Sequence, residues 1–219
     1  PAAGAGRKGR LLRFEPGAYR AVGVECEGRF ARVGLADMAG GVQARETIEL
    51  GDFARTRDLS PLAAAIRRMC AAANGAPVLG VCIGFPANLD PDAAAIVSYA
   101  AMDIQQPTSF AQVFPAFWRE VELPVYLEND ANLACEGEAF LRRGAGGAAN
   151  MLYLSIGSGC GGAVRLDGKL RRGARCRAGE VGAMLLQPAL GAPGRSAARE
   201  TLEDAVCLAA LERDRKSVV

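Results

Sequence analysis

Histidine is absent from the chain. Its absence removes imidazole as a general base and excludes zinc sites that need it as a ligand. Paired C-x-x-C cysteines are missing too. Cys26, Cys70, Cys82, Cys135, Cys160, Cys176 and Cys207 are scattered, odd in number and mostly set in apolar runs. That pattern reads as buried free thiols in a reducing cytoplasm rather than a disulfide framework. No apolar run reaches the ~18 residues of a membrane span and no signal peptide is visible, so no membrane partner is expected. Net charge is only +2 with 23% charged residues, which argues against a nucleic-acid-coating surface and against an acidic tail. The chain opens on Pro1 rather than Met, and its end, Arg213 to Val219, continues no periodic pattern. Residues 213–219 are therefore expected to be an unstructured tail on a truncated chain.

What is present is apolar: 50% of the 219 residues, enough for one domain or two small lobes. Residues 1–10 are Gly/Ala-rich and basic and read as a solvated linker, with a DNA-touching arm as the alternative. Ala21–Glu25, Phe30–Asp37 and Val42–Leu50 predict a three-stranded meander. Ser60-Pro61 predicts a helix start, Leu62, Ile66, Met69 and Cys70 share one face, and Asn74-Gly75 ends it. Pro77–Gly84 is a near-continuous apolar run, as in a strand buried on both faces. Residues 85–107 hold several turn residues and are expected to form a loop. Phe110, Val113, Phe114, Phe117 and Trp118 predict an aromatic helix restarted at Pro115; with nothing basic interleaved, they read as core rather than a base-stacking platform. Val125–Glu128 predicts a strand running into a helix capped by Asn129 or Asp130, with Leu133, Gly137, Phe140 and Leu141 on one face and Gly144 closing it. Met151–Ile156 is a further strand, and Gly162–Leu166 and Lys169–Arg171 flank the hairpin signal Asp167-Gly168. After Gln187 the chain turns Pro/Gly/Ala-rich, then offers a helix from about Ala197 to Glu212. The alternation is that of a mixed α/β protein.

Three stretches carry the chemistry. Val125-Tyr-Leu-Glu-Asn-Asp130-Ala-Asn132 ends a strand on a carboxylate. Leu154-Ser-Ile-Gly157-Ser-Gly159-Cys-Gly161-Gly162 is a strand followed by a glycine-rich turn, whose N–H groups phosphate could approach. Ala178-Gly-Glu180-Val-Gly-Ala183 is a small-residue turn bearing one acid. Each has a plainer reading: an ordinary capping aspartate at Asp130, a surface acid at Glu180, and a tight turn needing positive φ at the glycines. With Gly80-Val-Cys-Ile-Gly-Phe-Pro86, Glu138 and Asp167-Gly168, these stretches stand in an order and spacing that resembles the ROK family (repressors, open reading frames, sugar kinases), across residues 10 to 205.

The resemblance implies an actin-like, ribonuclease-H-like sugar-kinase fold of two lobes, truncated at its C-terminal end. On that basis residues 1–17 are a linker, 18–123 an N-terminal lobe and 124–212 part of a C-terminal lobe. It also implies a sugar in the cleft, met by Gly84, Pro86, Asn129, Asp130, Glu180 and Glu203, and nucleotide phosphates near Glu25, Gly28, Gly157, Ser158, Gly159, Gly161 and Gly162. Asp130 would be the base that takes a sugar hydroxyl proton if the chain is a kinase, and its helix N-terminal place would favour the charged form. Asn129 and Glu180 suit hydroxyls that both donate and accept.

Three departures from the family pattern matter. The kinases' phosphate loop is Asp-x-Gly-Gly-Thr, whereas this chain has Glu25-Cys-Glu27-Gly-Arg29. Glu27 sets a negative charge and a Cβ where phosphate should pass, and Arg29 could attract phosphate without restoring that geometry. Ala183 replaces the family's sugar- and zinc-contacting histidine, and 187–199 has no cysteine where a zinc loop should follow, so no metal and no zinc cofactor are expected. Gly9–Gly17 followed by Tyr19–Val24 is most similar to the linker of the family's regulators, which joins a winged helix-turn-helix to a sugar-sensing body. The first reading is therefore a cytoplasmic sugar-binding effector domain, dimeric in its full-length form and meeting DNA only through such a winged helix-turn-helix. The alternative is an ATP- and Mg-dependent hexose or N-acylhexosamine kinase. A third is an inert fragment.

Overall fold

The computed structural model describes residues 12–143, 148–186 and 200–217. The residue 1–10 linker, Gly144 and the stretch 187–199 fall outside the described residues. A first sheet is built from β1 (Arg20–Glu27), β2 (Phe30–Asp37) and β3 (Val42–Glu49), the antiparallel meander expected from alternation. β4 (Val78–Phe85) is inserted beside β1, and β8 (Val125–Asn129) beside β4, both parallel to β1. The strand order is β3-β2-β1-β4-β8. β8 thus completes this sheet at its β4 edge.

Val22, Val24 and Cys26 alternate inward along β1 and meet the buried run of β4. Two helices follow β3: the single turn α1 (Phe53–Thr56) and α2 (Ser60–Ala72). α2 buries Leu62, Ile66 and Met69. Its start is held not by Ser60 but by Asp58, whose carboxylate accepts the Ser60 N–H and hydroxyl; Asn74 and Gly75 end it at positive φ.

The expected loop at 85–107 is instead structured. β5 (Asn88–Asp90), β6 (Ala95–Ser98) and β7 (Thr108–Ser109) form a small antiparallel sheet. Asp90 holds its turn by accepting the N–H groups of Asp92 and Ala93. Strands of two to four residues are too short to display a period, which is why turn residues dominated the sequence signal. The aromatic segment splits at Pro115 into α3 (Phe110–Val113) and α4 (Pro115–Glu120). Its rings are core: Phe85 lies 5.4–5.9 Å from Phe53, Tyr99, Phe110 and Phe114, edge to face in all four pairs.

α5 (Asp130–Arg142) leaves the end of β8 and packs against β4 and the second lobe. It buries Ala131, Asn132, Cys135 and Ala139, while Gly137 and Leu141 face outward. The expected Leu133–Leu141 face is thus displaced, because the helix sits between two sheets and takes small residues where it is squeezed. The second lobe is the meander β9 (Met151–Ile156), β10 (Cys160–Leu166) and β11 (Lys169–Arg171), with a tight turn at Asp167-Gly168. β12 (Leu185–Leu186) pairs with β13 (Glu200–Thr201). The single expected helix is two, α6 (Leu202–Val206) and α7 (Leu208–Ser217), broken at Cys207. Residues 213–217 are therefore helical rather than an unstructured tail. No helix among the described residues is long and apolar enough to cross a membrane.

Candidate functional site

Between the two lobes lies a cavity of about 720 Å³. The β1–β2 hairpin supplies Glu25 and Glu27, the small sheet supplies Asn88 and Ser98, its β6–β7 connection supplies Gln105, and the β8–α5 corner supplies Asn129 and Asp130. From the second lobe come Gly157, Ser158, Gly159, Cys160, Gly161, Arg177, Glu180 and Glu203. The fold thus collects Glu25, Pro86, Asn129, Asp130, Gly157, Ser158, Gly159, Gly161, Glu180 and Glu203 in one place. It leaves Gly28, Gly84 and Gly162 outside the lining. Gly28 is the turn of the first hairpin at φ +55°. Gly84 and Gly162 serve packing. A Cβ on Gly84 would press on Leu133 and Asp130, and one on Gly162 would stand 2.9 Å from the Gly179 carbonyl oxygen.

Asn129 caps α5: its Oδ1 accepts the Asn132 N–H at 3.1 Å, and its Nδ2 donates to the Ala87 carbonyl at 3.2 Å. The cap is therefore Asn129, and Asp130 is the first helical residue, its carboxylate accepting the Ala131 N–H at 2.8 Å. The helix terminus was expected to favour the charged carboxylate. Burial wins instead and pushes the Asp130 pKa above its ordinary value, the backbone N–H groups oppose it, and Glu25 and Glu27 add to the rise. Burial likewise raises Glu180, against the pull of Arg177. Both carboxylates thus hold a proton more readily than they would in water, the direction that suits a proton acceptor.

The end of the cleft where phosphate was expected has a different character. Arg32 donates to Glu25 at 2.8 Å and to Glu27 at 2.6 Å, clamping the two carboxylates together. Arg29, the expected phosphate attractor, turns away to Glu49. Across the cleft, the turn from Gly157 to Gly159 is closed by its own backbone bond of 2.9 Å. None of its glycines has positive φ, and Gly161 and Gly162 lie in β10 rather than in the turn. Crowding explains one of them: a Cβ on Gly159 would come 2.9 Å from Glu203 Oε2, whereas one on Gly157 would meet only an ordinary contact with Glu27 Oε1 at 3.8 Å. The Cys160 N–H, one that a phosphate oxygen could accept from, already donates to Glu203 at 2.8 Å. Glu203 reaches the cleft, but as a ligand of the glycine turn.

Arg32 was missed in the sequence, yet a two-residue turn at Gly28-Arg29 places it directly opposite Glu25. Arg177 was missed as well. It donates to Ser98 at 3.3 Å, and Asn88 donates to the same hydroxyl at 3.0 Å, so the second lobe touches the small sheet across the cleft. No spacing within either segment announces that contact, since the partners are 79 residues apart.

Known proteins with related sequences and structures follow the same plan. The model of the ROK family matches residues 21–217. A glucokinase of Halalkalibacterium halodurans is 34% identical over 139 residues, 60% of this chain and 39% of the glucokinase. A xylose repressor of Caldicellulosiruptor bescii is 33% identical over 105 residues, 48% of this chain and 25% of the repressor. The crystal structure of a ROK hexokinase from Thermus thermophilus superposes with a TM-score of 0.65 at 28% identity, covering 91% of this chain and 64% of the hexokinase. The shared architecture is the actin-like sugar-kinase fold. The chain spans about two fifths of the glucokinase's length.

Proposed function

The chain belongs to the ROK family, and from that premise we propose that it is the sugar-binding effector body of a ROK-type transcriptional regulator of carbohydrate metabolism. Asn129, Asp130 and Glu180 meet the hydroxyls of a sugar or sugar derivative. A change in lobe closure on binding then biases a homodimer between DNA-bound and released states, through a separate winged helix-turn-helix.

The observation that carries this reading is the charge at the phosphate end. Glu25, Glu27 and Glu203 stand where a nucleotide's phosphates would pass, and the donors that could receive phosphate, Arg32 and the Cys160 N–H, are already engaged. Glu25 and Glu27 share one guanidinium, which leaves one negative charge over; a like-charge contact with it at ~4 Å costs about 4 kcal/mol at an effective dielectric of 20, roughly a thousandfold in affinity. A sugar is neutral and bears no such cost. The test is a melting-temperature panel of hexoses, pentoses and N-acylhexosamines, run beside an ADP-release assay. Stabilisation by at least one sugar with no ADP release supports the reading; failure of every sugar to stabilise the protein would overturn it.

A second reading, an ATP-dependent hexose or N-acylhexosamine kinase, is favoured by Asp130, whose raised pKa suits a base for a sugar hydroxyl. Such a kinase needs Mg²⁺ beside the phosphates. Glu25 and Glu27 offer the hard oxygens that ion takes, but both are held by Arg32, so the donor set does not fit it without displacing the guanidinium. Under this reading Asp130→Asn abolishes phosphorylation and spares sugar binding.

A further inference from the structure

Glu128 is a buried carboxylate that the account above does not use. It is only 7% exposed, one residue before Asn129 at the end of β8. All of its bonds are to N–H donors. Oε1 accepts from the Asn129 backbone at 2.9 Å and from the Asn132 amide at 3.0 Å. Oε2 accepts from Arg172 Nε at 2.8 Å and Nη2 at 2.5 Å, a two-pronged contact. A buried charge is tolerable only when so fully partnered, and removing one partner leaves it uncompensated.

Where these bonds lead is the point. The first fixes the peptide of Asn129, which must hold φ −59° and ψ 142° to cap α5. The second fixes Asn132, whose own N–H is the one Asn129 caps. Arg172 belongs to the other lobe, just past β11, and its carbonyl accepts the Ala178 N–H at 3.0 Å, two residues before Glu180. One ion pair therefore ties the Asn129–Asp130 corner, where β8 passes into α5, to the segment past β11 that carries Glu180.

We propose that Glu128 and Arg172 are positioning residues, an interlobe tether that sets the Asn129–Asp130 corner at its working distance from Glu180. Neither touches the ligand. The proposal rests on the reading of the cleft as a sugar site, so its test has a readout that needs no sugar. The side-chain amide resonances of Asn129 and Asn132 are followed by NMR in wild type and Arg172→Met, with D-glucose titrated into each by calorimetry. Arg172→Met is expected to shift or broaden both amides and to weaken D-glucose binding on the order of tenfold or more, as small misplacements of a binding group do. Arg172→Lys, which keeps the charge but loses the paired contact, is expected to fall between, and it provides the reading should Arg172→Met fail to fold. Unmoved amides in a folded variant, or equal D-glucose affinity, would overturn the tether. Absence of D-glucose binding to wild type would exclude that one sugar as the ligand, and the amide shifts alone would then decide the tether.

Discussion

At the end of the cleft proposed to take a sugar, Asp130 and Glu180 are carboxylates raised in pKa by burial and lining the cavity. At the end where a nucleotide's phosphates were expected, Glu25, Glu27 and Glu203 are each bonded to a donor of the chain itself. The same side chains thus serve opposite purposes. A carboxylate raised by burial, holding at most the adjacent backbone N–H as Asp130 does, has acceptor capacity left for a ligand's hydroxyls. An acid already partnered occupies the ground a phosphate would need. Composition could not have told them apart; their donors do.

The contrast can be broken most severely from the phosphate end. The double change Glu27→Gly and Glu203→Gln removes two charges and one Cβ beside the glycine turn. Magnesium-bound ATP analogues should then gain affinity by tenfold to roughly a thousandfold, the span set by one or more relieved like-charge contacts. Calorimetric titration of wild type and variant measures it, and an unchanged affinity would mean the carboxylates are not the barrier. Next in size, Asn129→Ala strips the cap of α5 and the bond to Ala87. Denaturant unfolding should show a loss of about 1 kcal/mol, typical of a lost cap, together with loss of sugar-induced stabilisation.

Asp130→Asn sharpens the other end. The folded state raises the Asp130 pKa above its ordinary 3.8, so the protonated acid favours folding. That contribution is full below the unfolded value and is lost as pH rises through the folded one. The amide should therefore raise the melting temperature at pH 7, and the gain should fade as the buffer is taken below about pH 4. A lower melting temperature at pH 7 would show that the charge is stabilised rather than strained. Smallest of all, Arg29→Ala breaks an exposed pair with Glu49, and it should change stability by at most ~0.5 kcal/mol and leave ligand binding untouched. A larger effect on nucleotide would return Arg29 to the cleft.

Much of this frame was legible from the chain alone, for identifiable reasons. The meander, α2 and the Pro115 break were written in alternation, helical spacing and a proline. The Asn129-Asp130 corner and Glu180 were marked by motifs that the fold does bring together. What stayed hidden depends on contacts distant in the chain. Glu203 reaches the Cys160 N–H across 43 residues, and Arg172 reaches Glu128 across 44. Arg32 is the instructive miss. Its pairing with Glu25 follows from the hairpin register once the turn is placed at Gly28-Arg29. Asp130 is the opposite case: the helix terminus suggested a favoured charge, and only the burial of the corner reverses the sign.

The most direct measurement is a calorimetric titration of wild-type protein with the non-hydrolysable analogue AMPPNP and magnesium, at physiological salt, with and without a stabilising sugar. The account predicts no binding tighter than the millimolar range in either case, while the sugar itself binds. Micromolar binding of the nucleotide would contradict it and make the cleft a kinase site.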